Sequence, residues 1–348
     1  LDVTLVPAFG AVPSVSRAKP EGATTMRALR FERFGAPSTL AVVDLPDPRA
    51  DEATAVVRIA AASVNPSDVK NVAGAMEGTT LPRVPGRDFS GTVEAGPSEW
   101  VGAEVWGTGG EVGFSVDGTH AERIAFPVAG LVRKPKNLGH ATASAIGVNF
   151  LAAWLGIDTY AQARSGETVV VTGAGGGVGG AVIQIAKARG CRVIGVDRGA
   201  PPPPPASVLI DDLVDAEGDF SAEVRRLTGG RGADVVFDAV GGVLFERALH
   251  SVAHRGRMVA ITSTGRRRVE LDLVDFYHNE TQLFGADTRK LDAAASGRIL
   301  AALVPGFESG RYQPPTIAET YSIEDGVAAY RSVEGGTRGR VVIAFPSA

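Results

Sequence analysis

Eight consecutive residues, Gly173-Ala174-Gly175-Gly176-Gly177-Val178-Gly179-Gly180, contain six glycines. A strand-like run, Thr168-Val169-Val170-Val171-Thr172, leads straight into them, and a helix-like run from Val178 to Arg189 leads out. Glycines let a backbone turn tightly and let a pyrophosphate approach the amides, and the first turn of the following helix adds partial positive charge. The next strand-like run, Cys191 to Val196, ends at Asp197, close to the spacing of about 20 residues at which an acid meets a ribose hydroxyl. A loop needed only for packing would not require strand, helix and acid in this order. The segment reads as a dinucleotide site, with Ala174, Gly175, Gly176, Gly177, Val178 and Gly179 at the pyrophosphate and Asp197 at the ribose. The letters also fit the short-chain dehydrogenase form TGxxxGxG. That form needs a later Tyr-x-x-x-Lys, and none of Tyr277, Tyr312, Tyr321 or Tyr330 has a lysine four residues on.

The surrounding rhythm is α/β. From about 149 to 290, strand-like Ala233 to Phe237 and Gly256 to Ile261 flank a helical run, Leu244 to Ala253. Strands alternating with helices predict a parallel, doubly wound sheet. From 26 to about 148 the pieces are short and β-prone, as in Val56 to Ala60, Gly91 to Ala95 and Val101 to Gly107, with Gly and Pro between them. A length of 348 residues accommodates two domains. Residues 1 to 25 have no clear period and are expected to be a disordered or loosely attached extension, and a cytoplasmic protein is expected. The run Pro201 to Pro205 predicts a stiff surface connector.

Several classes fall away. The single cysteine, Cys191, cannot make an intramolecular disulfide or a CxxC zinc site. No run of 18 apolar residues suggests a membrane span. A net charge of −4 gives no support to broad electrostatic binding of nucleic acid.

Further runs carry a resemblance. Val64-Asn65-Pro66-Ser67-Asp68, Pro85-Gly86-Arg87-Asp88-Phe89-Ser90-Gly91-Thr92-Val93, the glycine loop, Asp238-Ala239-Val240-Gly241-Gly242 and Gly339-Arg340-Val341-Val342 occur in this order. They resemble the medium-chain dehydrogenase/reductase superfamily and, within it, the zinc-independent, ζ-crystallin-like quinone oxidoreductases. The resemblance implies a GroES-like β domain from residues 26–148 and 290–348, with a Rossmann domain, 149–289, inserted into it. The active site is expected in the cleft between them.

Zinc enzymes of this superfamily use an early Cys and the His of a Gly-His-Glu segment. Here the first position falls within Ser63 to Asp68 and the second is Arg87. Cys191 is expected to be a buried apolar thiol. His250 and His254 have i, i+4 spacing but no third ligand nearby, so no metal site is expected.

Chemistry without a Lewis acid favours acceptors that are already electron-poor. The expected reaction is hydride transfer from a reduced nicotinamide to a quinone or α,β-unsaturated carbonyl, a small-molecule electron acceptor. Two alternatives stay open: a zinc-free dehydrogenase acting on another alcohol or carbonyl, and a non-enzymatic NADPH-binding protein of crystallin or RNA-associated type. By resemblance, Asn65 faces the cleft and Lys70 stands at or near a position where many quinone reductases carry tyrosine. Asn65 is expected to bind substrate or carboxamide, and Lys70 to stabilise a developing anion. The resemblance also places Val240, the backbones of Ile261-Thr262-Ser263 and Phe284-Gly285-Ala286 at the nicotinamide, and pairs the strand around Leu283 to Ala286 with a second subunit as a homodimer. The cofactor arguments diverge. The resemblance implies NADPH, and the charges of Arg198 and Arg340 make them candidate phosphate ligands, whereas Asp197 favours NADH.

Overall fold

The protein is described by a computed structural model covering residues 24–199 and 202–346. Residues 1–23, most of the expected extension, and Pro201 of the proline run lie outside the described residues. Thr25 already begins β1 (Thr25–Phe31), which pairs antiparallel with β2 (Leu40–Pro46). A mainly antiparallel sheet follows from β3 (Thr54–Val64), β4 (Asp88–Ala95), β5 (Glu104–Gly107), β6 (Arg123–Pro127) and β7 (Val132–Arg133). Helix α1 (Pro66–Val72) leaves β3 at Asn65, with Pro66 at the first position, where a missing N–H costs nothing. Two short helices, α2 (His140–Ser144) and α3 (Gly147–Trp154), lead out of this sheet.

The chain then builds a second, six-stranded parallel sheet. Its elements are β8 (Thr168–Thr172), α4 (Gly177–Ala188), β9 (Arg192–Asp197), α5 (Ala206–Leu209), β10 (Asp212–Asp215), α6 (Phe220–Leu227), β11 (Ala233–Asp238), α7 (Phe245–His250), β12 (Val252–Ala260), α8 (Leu273–His278) and β13 (Gln282–Gly285). The strand order is β10-β9-β8-β11-β12-β13, the doubly wound pattern. All of β8 is buried, which is why it reads as a continuous apolar run without alternation. Helices α9 (Ala293–Glu308) and α10 (Gly326–Glu334), with strands β14 (Ile317–Tyr321) and β15 (Arg340–Ala344), return to the first sheet. There β15 lies between β14 and β3, so the first sheet is made from both ends of the chain. This is a GroES-like domain joined to a Rossmann-type sheet.

Local boundaries differ from the sequence reading in two places. Strand β5 starts at Glu104 because Trp100 to Ala103 close a turn, with the Ala103 amide donating to the Trp100 carbonyl at 2.8 Å. The helix expected to reach Ala253 stops at His250, since Val252 already pairs with Ala233 in the sheet.

Candidate active site at the strand ends and the domain junction

The parallel sheet brings one row of residues into register. Val196 lies beside Thr172, Thr172 beside Asp238, Asp238 beside Ala260 and Ala260 beside Gly285. The chain leaves each of these strands at the same edge. The glycine loop, Asp197, Val240, Ile261 to Ser263 and Phe284 to Ala286 are therefore gathered along the carboxyl ends of the strands, where open α/β sheets bind ligands.

The glycine loop is shaped as a cradle. Gly173 turns the chain at φ +65°, and the Gly176 amide donates to its carbonyl at 2.9 Å. A Cβ on Gly179 would stand 2.1 Å from the Gly173 oxygen, so only glycine lets α4 approach the loop this closely. Gly175, Gly176 and Gly177 are exposed at the amino end of α4, while Ala174 is buried and Val178 half-buried. Exposed glycines at the start of a twelve-residue helix suit a pyrophosphate. The residues present thus fit a dinucleotide.

Asp197 faces this loop directly. One carboxylate oxygen accepts from the Gly175 amide, and the other accepts from the Arg198 amide at 2.7 Å. Pro202 folds back to 3.7 Å from where a Gly175 Cβ would stand, so the proline run walls this end of the site. Arg198 is exposed. On the other side, buried Asp238 receives the Thr172 hydroxyl at 2.5 Å and the Gly241 amide at 2.8 Å, which sets the loop carrying Val240. Val240 covers Gly173, at 3.0 Å from its would-be Cβ. Ile261 and Thr262 are half-buried and Ser263 exposed; the Ala286 amide donates to the Ala260 carbonyl at 3.0 Å.

The GroES-like domain contributes a buried polar network. The Asn65 amide donates to Asp88 at 3.0 Å and accepts from Arg340 at 2.6 Å. Arg340 also donates to the Ser63 hydroxyl at 2.9 Å, and its guanidinium lies 3.9 Å from Asp88. The other Asp88 oxygen accepts from the Val148 amide at 3.0 Å and so holds the start of α3. Asn149, next in α3, packs against Gly177, its side chain 2.9 Å from where a Cβ would stand. One chain of contacts thus runs from β15 through Asn65, Asp88 and α3 to the glycine loop. Sequence reading did not single out Asp88 or Asn149 for this role; only the close approach of α3 to α4 reveals it.

This network changes the reading of two expected site residues. Asn65 is 2% exposed, with its carbonyl oxygen and one N–H engaged within the protein. Arg340 is buried in the GroES-like domain, on Ser63 and Asn65, rather than beside Asp197. Its Nη2 is engaged there, inside the GroES-like domain, so it is not placed to receive a ribose phosphate. Lys70 is exposed in the last turn of α1.

Burial sets the protonation of this region. Asp68, which accepts from the Asn65 amide at 2.8 Å, is pushed up to about 7 by burial, against the pull of that hydrogen bond. His120, fully buried between Tyr330 and the Ser63 carbonyl, is pushed down to about 4 by burial. Burial also lowers the Arg87 guanidinium, opposed by Asp88 and Asp68.

The donor set does not fit zinc. Among the described residues no group of three or more His, Cys, Asp or Glu side chains is placed to hold a metal ion. By the resemblance, Arg87 stands where a Gly-His-Glu segment would supply its histidine. Cys191 is buried, with its thiol against the Arg164 carbonyl, and burial raises its pKa. His250 and His254 do not share a helix: His250 closes α7 and His254 lies in β12, each beside its own acid, Asp275 and Glu280.

Comparisons with known proteins agree with this architecture. Residues 51–136 match the alcohol dehydrogenase GroES-like domain, and residues 177–299 match the family described as zinc-binding dehydrogenase. A zinc-type alcohol dehydrogenase-like protein of Schizosaccharomyces pombe is 35% identical over 318 residues, spanning 88% of this chain and 94% of that one. A quinone oxidoreductase of Pongo abelii is 26% identical, spanning 92% and 98%. The crystal structure of an NAD-dependent alcohol dehydrogenase superposes with a TM-score of 0.84 at 32% identity, covering 92% of this chain and all of that one. The chain belongs to the medium-chain dehydrogenase/reductase superfamily, in its quinone oxidoreductase group. It is an oxidoreductase that works with a nicotinamide cofactor.

Proposed function

We propose that this enzyme reduces quinones or α,β-unsaturated carbonyls with NADH and without zinc. The observation that carries this reading is Arg87, a buried cation which the resemblance puts at the place of a zinc ligand, with no metal-binding donor set among the described residues. Without a Lewis acid to ionise an alcohol, the favoured substrate is one whose carbon already accepts a hydride. Bound reduced nicotinamide supplies that hydride, and a solvent proton completes the reduction of the acceptor's C=C or C=O bond.

The residues of this chain divide the remaining work. The exposed glycine loop and the first turn of α4, from Gly177, hold the pyrophosphate, and the loops at Val240, Ile261 to Ser263 and Phe284 to Ala286 flank the nicotinamide. Asn65 positions: it links Arg340 to Asp88 and, through Asp88, anchors α3 against the glycine loop. Lys70, exposed on α1, is the group assigned to the developing oxyanion. Asp197 supports NADH over NADPH. Its carboxylate already holds the Gly175 amide at the ribose end, and like charges about 4 Å apart repel by about 1–4 kcal/mol at effective dielectrics between water and a protein surface.

The second copy implied by the family fits the free sheet edge. Strand β13 ends the parallel sheet, Leu283 on it is 41% exposed, and neighbouring α8 exposes Leu273, Val274 and Tyr277. An unpaired apolar edge of this kind supports a homodimer through β13.

The test is turnover by chelator-treated protein. NADH oxidation is followed with phenanthrenequinone, with benzoylacrylate and its methyl ester, and NAD reduction with primary and secondary alcohols. The reading expects quinone or enone reduction that survives chelation. Alcohol oxidation with inert quinones and enones, or activity restored only by zinc, overturns it.

A further inference from the structure

The return segment from the parallel sheet to the GroES-like domain carries a feature that the proposed reaction does not use. Three residues past Ala286, Arg289 lays its guanidinium on the buried Phe114 ring, 4.1 Å from the centroid. Arg87 approaches the same ring at 5.7 Å. Arg87 is 2% exposed, yet its protein partners are all neutral: Nη2 donates to the Thr288 hydroxyl at 3.2 Å and Nε to the Gly109 carbonyl at 3.4 Å.

Among the described residues, neither guanidinium forms an ion pair with a carboxylate. The nearby acids are otherwise engaged. Asp88 serves Asn65, Arg340 and α3, Asp68 holds the Asn65 amide, and Asp287 accepts from the Arg289 backbone amide at 2.9 Å. Among the described residues the Nε of Arg289 is buried and has no partner. Asp88, Asp68 and Asp287 act on Arg87 only through space, a buried cation without a direct carboxylate partner is costly to keep, and the two cations around one ring repel each other. Such a site is completed by an anion, and guanidinium groups suit the planar, two-oxygen geometry of a carboxylate.

We propose that Arg87 and Arg289 form an anion seat at the domain junction, and that the electron acceptor of this enzyme carries a carboxylate that docks there. The inference rests on the reductase reading for the word acceptor, but the seat itself is independent of turnover. The position supports it: Asp287-Thr288-Arg289 directly continue Phe284-Gly285-Ala286, the segment assigned to the nicotinamide.

The test is calorimetric titration of the full-length, NAD-saturated protein, so that the glycine loop is occupied, with benzoylpropanoate and separately with its uncharged methyl ester. The acid should bind about tenfold or more tightly than the ester, and this preference should disappear in Arg289→Gln. Arg87→Gln should lose it too. Because Arg87 is buried, that variant is read only where its circular dichroism melt shows a folded protein, and half-exposed Arg289 carries the test alone otherwise. Equal binding of acid and ester by the unaltered protein, no binding of either, or a preference that persists in Arg289→Gln overturns the seat. Acid-selective binding in a protein that reduces neither benzoylacrylate nor any quinone upholds the seat and sinks the reductase reading instead.

Discussion

Asp88 is the point through which the GroES-like domain grips the cofactor helix, and Asp88→Ala tests that grip. The carboxylate is fully buried and accepts from Asn65 and from the Val148 amide, both at 3.0 Å, with Arg340 at 3.9 Å. Removing it strands the Arg340 guanidinium, 6% exposed, without its counter-ion and leaves a helix-start amide without its acceptor. Breaking a buried pair by deleting one partner costs about 3–5 kcal/mol, mostly from the charge left behind. For domains of 150–250 residues each kcal/mol moves Tm by about 2–4 °C, so Asp88→Ala should melt roughly 6–20 °C lower by circular dichroism. Adding Arg340→Met removes the stranded charge and should recover a good part of that loss. Because α3 also packs on Gly177, the single variant should bind NADH more weakly by calorimetry even well below its Tm. A melt within about 2 °C of the unaltered protein, or a double variant no more stable than the single, would refute the reasoning.

Three further outcomes follow. Gly179→Ala forces a Cβ to within 2.1 Å of the Gly173 oxygen; the resulting shift of α4, at the usual overpacking cost of about 1–3 kcal/mol, should weaken NADH binding about tenfold by fluorescence titration, and unchanged affinity would contradict the cradle. Two buried groups oppose each other in acid. His120, at about 4 in the fold against 6.5, loses its share of stability as pH falls from 6.5 to 4; Asp68, at about 7 against 3.8, loses its share as pH rises from 3.8 to 7. Asp68→Asn keeps the acceptor but removes the second trend, so its stability should fall more steeply than the unaltered protein's between pH 6.5 and 5, by up to about 1.4 kcal/mol per pH unit in chemical melts; equal slopes would contradict it. Leu283→Arg on the exposed edge of β13 should turn a dimer into monomers in analytical ultracentrifugation, and a dimer that persists would move the interface elsewhere.

Much of the nucleotide side is legible in the letters because it is local. Strand, glycines, helix and acid follow one another within 30 residues, from Thr168 to Asp197, and each has a conformational reason visible in one dimension. The proline run reads only as a stiff surface connector; the contact of Pro202 with Gly175 is not visible in the letters. The junction is another matter. Arg340 and Asn65 are 275 positions apart and Arg87 and Thr288 are 201 apart, and no periodicity or spacing joins them. Reading Arg340 as a phosphate ligand treats a basic residue near a family landmark as free, whereas it is buried at the start of β15 with its Nη2 on Ser63 and Asn65. His250 and His254 show the same limit at short range, because their i, i+4 spacing matters only if the helix continues, and pairing of Val252 with Ala233 ends it. Residues whose work is to join two domains are those that sequence order conceals most completely.

The account rests on one geometry, a glycine cradle with Asp197 turned onto it. The most direct test is calorimetric titration of the purified protein with NADH and, separately, NADPH. The account predicts that both bind at the cradle and that NADH binds about tenfold or more tightly, with the preference narrowing in Asp197→Ser. Failure of both nucleotides to bind, or tighter binding of NADPH by the unaltered protein, would contradict it.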